Sequence, residues 1–338
     1  MSAACVTGLG VHVPSQRTTA EQIGAASGLP VDVVIHKLGI REKAAPGVDD
    51  HPTAMAVLAA RHALAEAGIE AAQVDVVISM TEEHKEYPVW TSGIKLGHDL
   101  GAANAYAFDL GQKCGTGVLG LKLARDLIRA DPHVNTVLLA GGYRNGDLID
   151  YRDPNVRFMY NLAAGAGAAV IERDRPGHEI LGASILTDGS LSEDVLVPVG
   201  GTKTALTAAN LDQFRLQVPH PQAMRERLAA RSVANFLHVI RQAVERSQAT
   251  TADIAYMALL HMKRSAHDEV LELLDVPAER SIYLEHYGHI GQVDQILSLV
   301  LARDNARLAH GDLAVLVAAG VGYVWNALCL RWHAEATA

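Results

Sequence analysis

The chain has 338 residues, room for two ordinary domains or one large duplicated unit, and carries a formal charge of −9 with histidines neutral. Hydrophobic residues make up 49% and charged residues 20%, with only 5% aromatic, so a sizeable core filled by small aliphatics is expected, as in closely packed α/β layers. No long basic run is present, which argues against a nucleic-acid surface, while a local basic patch for an acidic carrier protein stays compatible with the charge.

The first residues, Met1 to Gly8, lack the basic and long apolar regions of a signal peptide. No uncharged apolar stretch reaches the roughly 18 residues that a membrane helix needs. The three cysteines, Cys5, Cys114 and Cys329, are far apart and odd in number, against a disulfide framework and against a zinc site. A cytoplasmic protein with no membrane contact and no bound metal is therefore expected.

Along the chain, apolar strand-length runs alternate with helical patterns. Thr53 to Gly68 reads as a helix with a glycine stop, and Val74 to Ser79 as a strand. A helix over Gly117 to Ala130, closed by Asp131 and Pro132, is followed by strands over Val137 to Ala140 and Ala166 to Ile171. Pro198 to Arg231 mixes Gly, Thr, Pro and charge and reads as an irregular excursion. Beyond it come a helix over Arg231 to Arg246, a strand ending at Leu260, a helix over Val293 to Asp304 and a strand over Leu313 to Val317.

An internal echo organises these elements. Leu-Ala-Arg-Asp at Leu123 to Asp126 recurs at Leu301 to Asp304. At the same offset Val137 to Ala140 is matched by Val315 to Ala318, Gly142 by Gly320, and Asp75 by Asp253. Two similar α/β halves, residues 1–175 and 176–338, are the expectation. Similar helix–strand units without duplication are the plainer alternative.

Cys114 falls where an apolar strand gives way through a tight turn to a helix, so helix N-terminal amides can favour its thiolate. Gly115 and Gly117 would let a substrate approach the backbone. The competing reading is a small buried cysteine, which is how Cys5 and Cys329 read in their apolar strands. His261 ends a strand, where α/β sites assemble. His289 lies in a Gly-punctuated turn, Tyr287 to Gln292, which the echo makes the counterpart of the Cys114 turn. Cys114 and His289 should therefore meet, with His261 beside them. Glu82 and Glu83 follow a strand at the counterpart of His261, so a carboxylate could face the same place; surface carboxylates are the commoner case. Gly320 to Trp325 is a Gly-rich loop without the lysine of a phosphate loop, so phosphate cradling is a weak reading. Gly165 and Gly167 read as tight strand packing, and His36, His62, His98 and His310 as structural or solvent-facing.

At this point the residues resemble the ketoacyl-ACP synthase III group of the thiolase superfamily, nearly end to end. Gly39 to Glu42 looks like that family's early loop, Ala105 to Cys114 like its nucleophile segment, Ala163 to Ala169 like the next strand, and Gly311 to Trp325 like its C-terminal strand and Gly loop. The resemblance implies a duplicated αβαβα five-layered fold and a homodimer. It also implies an acyl-CoA or acyl carrier protein substrate in fatty acid or polyketide biosynthesis, and no cofactor beyond the coenzyme A or phosphopantetheine of the thioester. It assigns Cys114 as acyl carrier and His261 as the triad histidine, and His289 stands where the family has asparagine. On that arrangement two neutral imidazole N–H groups would polarise the second thioester's carbonyl.

Tyr87 and Pro88 match the loop that closes the acyl pocket across the dimer. Tyr87, Gly320, Gly322, Lys263 and Arg264 are the substrate-binding candidates. Two departures stand out: the tryptophan that stacks on adenine in the family falls near Val33, and the His261 strand continues with Met262, Lys263 and Arg264. Glu82 also has the spacing before the cysteine that resembles hydroxymethylglutaryl-CoA synthase, where a glutamate is the acid/base.

Three functions follow: Claisen-type condensation, acyl transfer or hydrolysis to an oxygen or nitrogen nucleophile or water, and a non-catalytic partner subunit. The intact Cys114 speaks against the last.

Overall fold

The computed structural model describes residues 2–334. Its strands are β1 (Ala4–His12), β2 (Arg17–Thr19), β3 (Glu42–Ala44), β4 (Val76–Ser79), β5 (Tyr106–Asp109), β6 (Thr136–Tyr143), β7 (Gly165–Arg173), β8 (His178–Thr187), β9 (Ile254–Leu259), β10 (Leu313–Gly320) and β11 (Val324–Arg331). Its helices are α1 (Ala20–Ser27), α2 (Val31–His36), α3 (Pro52–Ala67), α4 (Ser92–Leu100), α5 (Thr116–Ala130), α6 (Pro221–Arg246), α7 (Arg264–Glu272) and α8 (Asp294–Asp304).

Nine strands are hydrogen-bonded in the order β5-β4-β6-β7-β1-β8-β11-β10-β9, and β2 pairs with β3 apart from them. β1 and β8 share only two residue pairs, so the row bends there into two sheets. The sequence β4-β6-β7-β1 in one sheet is answered by β9-β10-β11-β8 in the other. Parallel pairing of β4 with β6 and of β9 with β10 demands crossovers, which α5 follows on one side and α8 on the other. α3 and α4 cover the outer face of the first sheet, α5 and α8 lie between the sheets, and α6 and α7 cover the second. This is the five-layered αβαβα thiolase-like fold.

Local chemistry explains each layer. α3 begins with Pro52 in its first turn and stops at Gly68, which takes the left-handed conformation (φ 67°) that closes a helix. Its alanines lie flat on β1, because Gly8 and Gly10 have no side chain to hold it off. A β-carbon at Gly10 would sit 2.0 Å from the Ala59 carbonyl oxygen. α8 is buried over Asp294–Leu299 on every side, as a helix between two sheets must be.

One sequence expectation is corrected. α6 starts at Pro221, so the irregular excursion ends there and not at Arg231. Proline suits a first helical position, Met224 and Leu228 continue the inward stripe at helical spacing, and the charges that suggested irregularity (Arg225, Glu226) point to solvent.

Candidate active site

β5 ends at Asp109, and the chain turns through Lys113, a non-glycine residue with φ 52°, into one 3-10 turn over Lys113–Gly115 and then α5. That left-handed residue presents Cys114 at the head of the helix. The turn is pinned from both sides. The Thr116 hydroxyl donates to the Lys113 carbonyl at 2.6 Å, and the Asn326 amide donates to Gln112 Oε1 and the Gly115 carbonyl, each at 2.8 Å.

The glycines here serve the fold. A β-carbon on Gly115 would lie 2.7 Å from Asn326 Nδ2, and one on Gly117 only 2.3 Å from the Gln292 carbonyl oxygen. They admit β11 and the partner turn to close contact, where substrate approach had been expected.

That partner turn carries His289. The His289 amide donates to the Asn161 carbonyl at 2.7 Å, and the Ala163 amide donates to the His289 carbonyl at 2.9 Å. The imidazole is buried, within hydrogen-bonding reach of the Cys114 sulfur on one side. On the other side its Nδ1 donates to Asp294 Oδ2 at 2.5 Å. Asp294, fully buried at the first turn of α8, also accepts the His261 amide (2.7 Å, Oδ2) and the Ile290 amide (2.7 Å, Oδ1). Burial alone would lower the His289 imidazole, but the Asp294 carboxylate and the Cys114 sulfur beside it outweigh burial and raise its proton affinity well above the usual histidine value. Burial pushes the Cys114 thiol up, and the His289 charge opposes that.

His261 lies next to this group with both ring nitrogens already bonded within the protein. Its Nε2 donates to the Gly39 carbonyl at 3.0 Å, and its Nδ1 accepts from the Asn161 amide at 2.9 Å. Burial lowers it to about 4, so it is neutral. The expected pair of free imidazole N–H groups is corrected to one: the N–H of His261 is spent on the early loop.

Cys114, His289, His261, Glu82 and Lys263 all line one cavity of about 1310 Å³. An apolar part of its lining comes from the 195–216 segment and α6, including Val195, Val199, Phe214, Leu228, Val233 and Phe236. Glu82 is buried, with Oε2 accepting from the Asn145 amide at 2.8 Å; burial raises its carboxyl, opposed mainly by the nearby Lys113 charge. Glu83 sits at the rim, paired with Lys113 at 2.5 Å. Gly320 lines the cavity, and a β-carbon there would lie 3.0 Å from the Cys114 amide nitrogen.

Three candidates lie elsewhere. Arg264 is engaged with Asp268 at 3.0 Å and over the Tyr283 ring, because α7 begins at that residue and turns it outward. Gly322 has open space around it and does not line the cavity. Tyr87 is 64% exposed and stacks edge-on against Trp90, while its neighbour Pro88 reaches the cavity. Asp294, Asn161 and Asn145 were not foreseen. The only signal for Asp294 was an acidic residue in a first helical turn, an ordinary stabilising feature.

A buried thiol, an imidazole against it and a carboxylate behind the imidazole, at the head of a helix in this fold, are the groups that nucleophilic acyl transfer through a cysteine requires. Residues 108–189 match the model of the family 3-Oxoacyl-[acyl-carrier-protein (ACP)] synthase III, and residues 244–332 its C-terminal counterpart. A Beta-ketoacyl-[acyl-carrier-protein] synthase III from Roseiflexus castenholzii is 27% identical over 340 residues, covering 98% of each chain. The 3-oxoacyl-(acyl carrier protein) synthase III structure from Pseudomonas aeruginosa superposes with a TM-score of 0.84 at 24% identity, over 98% of this chain and 99% of that one. A priming beta-ketosynthase of a polyketide biosynthetic pathway also gives 0.84, at 22% identity, over 98% and 97%. The chain belongs to the ketoacyl-ACP synthase III family.

Proposed function

We propose that Cys114 takes an acyl group from an acyl-CoA or acyl-ACP thioester and joins it to a second thioester, with His289 moving the protons and Asp294 orienting it. The observation that carries this is His289 held between the Cys114 sulfur and the Asp294 carboxylate in the wall of a mostly apolar chamber. His289 accepts the thiol proton as sulfur attacks the thioester carbonyl, and returns it to the departing thiol. Gly320 keeps the Cys114 amide uncovered, so that this N–H can face the oxyanion of the tetrahedral intermediate. In the second half a malonyl thioester loses carbon dioxide to leave its enolate, whose carbon attacks the acyl carbonyl and expels the Cys114 thiolate. Glu82, its carboxyl raised by burial, lines the same cavity and is the candidate acid of the condensation step. No group beyond the thioester is needed as cofactor.

A second reading, transfer to a hydroxyl, an amine or water, is favoured by one observation. With the His261 N–H bonded to Gly39, one imidazole remains, and it is backed by a carboxylate, as in sites that deprotonate an oxygen nucleophile. Intact-mass measurement after incubation with acyl-CoAs tests both. Cys114→Ala should carry no adduct; an adduct that persists there sinks both readings. Adding malonyl-CoA to the acylated enzyme must then release carbon dioxide, and release of free acid or ester in its place would establish the second.

Lys263 makes no ion pair among the described residues and lines the cavity, so it suits the phosphate of a pantetheine arm or an acidic carrier surface. The edge strand β5 leaves Tyr106 53% exposed, with Ile94 and Val89 close by in sequence also bare. That edge supports a homodimer, which Ile94→Asp with Tyr106→Asp should convert to a monomer in light scattering. No described helix is long and apolar enough to cross a membrane, and three buried free cysteines suit the cytoplasm. Residues 1–175 and 176–338 are taken as the two duplicated halves, from the matching strand orders.

A further inference from the structure

A second cleft, of about 400 Å³, lies where β8 passes the C-terminal halves of α5 and α6. It is lined by Lys122, Arg125 and Arg129 of α5, by β8 around Gly182, and by Arg246 and Ser247 at the end of α6. Among the described residues, none that lines it also lines the Cys114 chamber. At 1.5 Å of rise per residue, the α5 cations lie roughly 9–20 Å along the helix from its head. β8 bulges at this cleft: between the pairs Ile180–Leu330 and Ala183–Leu328 it has two residues, Leu181 and Gly182, where β11 has one. Three backbone groups of that stretch hold the cleft's side chains. The Leu181 carbonyl accepts from Arg125 Nη1, the Ala183 carbonyl accepts from Arg246 Nη1 at 2.7 Å, and the Gly182 amide donates to Ser247 Oγ at 2.9 Å. Two guanidinium forks are thereby fixed to carbonyls roughly 7 Å or less apart on one strand.

One carboxylate, Asp126, is shared by Lys122 at 2.5 Å and Arg125 at 2.8 Å, and the Arg125 side chain is only 11% exposed. Arg129 and Arg246 make no ion pair among the described residues; they bond the Ser2 and Ala183 carbonyls. Four cations around one carboxylate repel one another, in a chain whose net charge is −9. Cations in the last turn of a helix complement its dipole, which accounts for Arg129 and Arg246 taken singly. It does not account for Lys122 and Arg125, which precede the last turn of α5, nor for all four meeting at one hollow. We infer that this cleft is an anion site, separate from the Cys114 chamber, that binds two phosphoryl groups in tandem, as in a diphosphate or the diphosphate of a nucleotide. Arginine forks pre-set by backbone carbonyls suit phosphoryl oxygens, which accept in pairs. The hollow falls in the size range of small-ligand pockets, so a small phosphate ester fits it better than a flat protein face does.

The test is equilibrium dialysis of the full chain against labelled inorganic diphosphate, with sulfate and ADP as competitors and ionic strength held constant with sodium chloride. Diphosphate should bind with one molecule per chain, about tenfold or more tighter than sulfate, because a second phosphoryl group engages the second fork. Arg129→Gln combined with Arg246→Gln should weaken it by about tenfold or more. Arg129→Gln alone, at an exposed position, should weaken it by about threefold or more, so the test does not depend on the Arg246 bond to β8. Lys263→Gln, in the chamber lining, should leave the affinity unchanged. ADP competing as well as diphosphate or better supports the site with a nucleotide as its ligand; weaker competition supports it with the inorganic anion. Absence of diphosphate binding, or an affinity untouched by both arginine variants, overturns the inference. Loss of binding in Lys263→Gln overturns it by moving the anion to the chamber. Sulfate binding as tightly as diphosphate overturns it in favour of an unselective basic patch.

Discussion

Asp294 does three things with one carboxylate: it orients His289, ties the His261 backbone and holds the Ile290 amide in the turn before α8. Asp294→Asn keeps the shape but removes the charge that raises His289. Acylation should then fall by about 10²–10⁴-fold, by analogy with loss of the carboxylate in hydrolase triads. With a weaker imidazolium beside it, the Cys114 thiol loses part of the effect that opposes burial, so the rising limb of iodoacetamide alkylation should move to higher pH in this variant. An unchanged limb would separate Asp294 from the chemistry. His261 predicts a different outcome. Its ring bonds Gly39 and Asn161, so His261→Ala should lower stability by roughly 1–3 kcal/mol in urea unfolding, and slow acylation less than His289→Ala does.

Between elements, contact distance is governed by missing side chains. β1 meets α3 through Gly8 and Gly10, and α5 meets the His289 turn through Gly117. Gly10→Val should cost about 1–3 kcal/mol or more, seen as a lower melting temperature, because the Ala59 carbonyl is backbone and cannot swing aside. Gly189→Ala, which meets nothing within 4 Å, should stay within about 0.5 kcal/mol of wild type. Strand and helix identities were legible because periodicity is local: Val137 to Ala140 and Thr53 to Gly68 fall inside β6 and α3 with its glycine stop. The early start of α6 was not, because surface arginines and glutamates around Met224 obscure the apolar stripe until the second sheet shows which face is inward.

Across the molecule, buried histidines set an acid limit. His178, His261 and His267 are each lowered by burial from 6.5 to about 4, so the unfolded chain binds more protons between those values and stability falls as pH drops through that window. Each should cost roughly 1–2 kcal/mol by pH 5, read as a melting temperature that declines steadily from pH 7 downward. Glu82 works in the opposite sense: its raised carboxyl binds protons more tightly when folded, so its contribution grows as pH falls. A flat melting curve between pH 7 and 5 would contradict the burial of these rings.

Pattern and order in the chain were enough to establish the α/β alternation, the cysteine at a strand-to-helix turn and, through the repeated register, a second turn bearing His289 to face it. Those features depend on neighbours within a few residues or on a repeat that can be counted. The direction of the His261 ring, the carboxylate behind His289, the outward turn of Arg264 and the polar pair of Glu82 with Asn145 were decided only by the tertiary structure. Each depends on which hydrogen-bonding group a distant segment delivers (Gly39, Asn161 or Asp294), and a buried side chain takes the partner that packing places beside it. A lone histidine at a strand end reads the same whether its N–H is free for a substrate or already bonded to a loop carbonyl, and only the packed loop distinguishes the two.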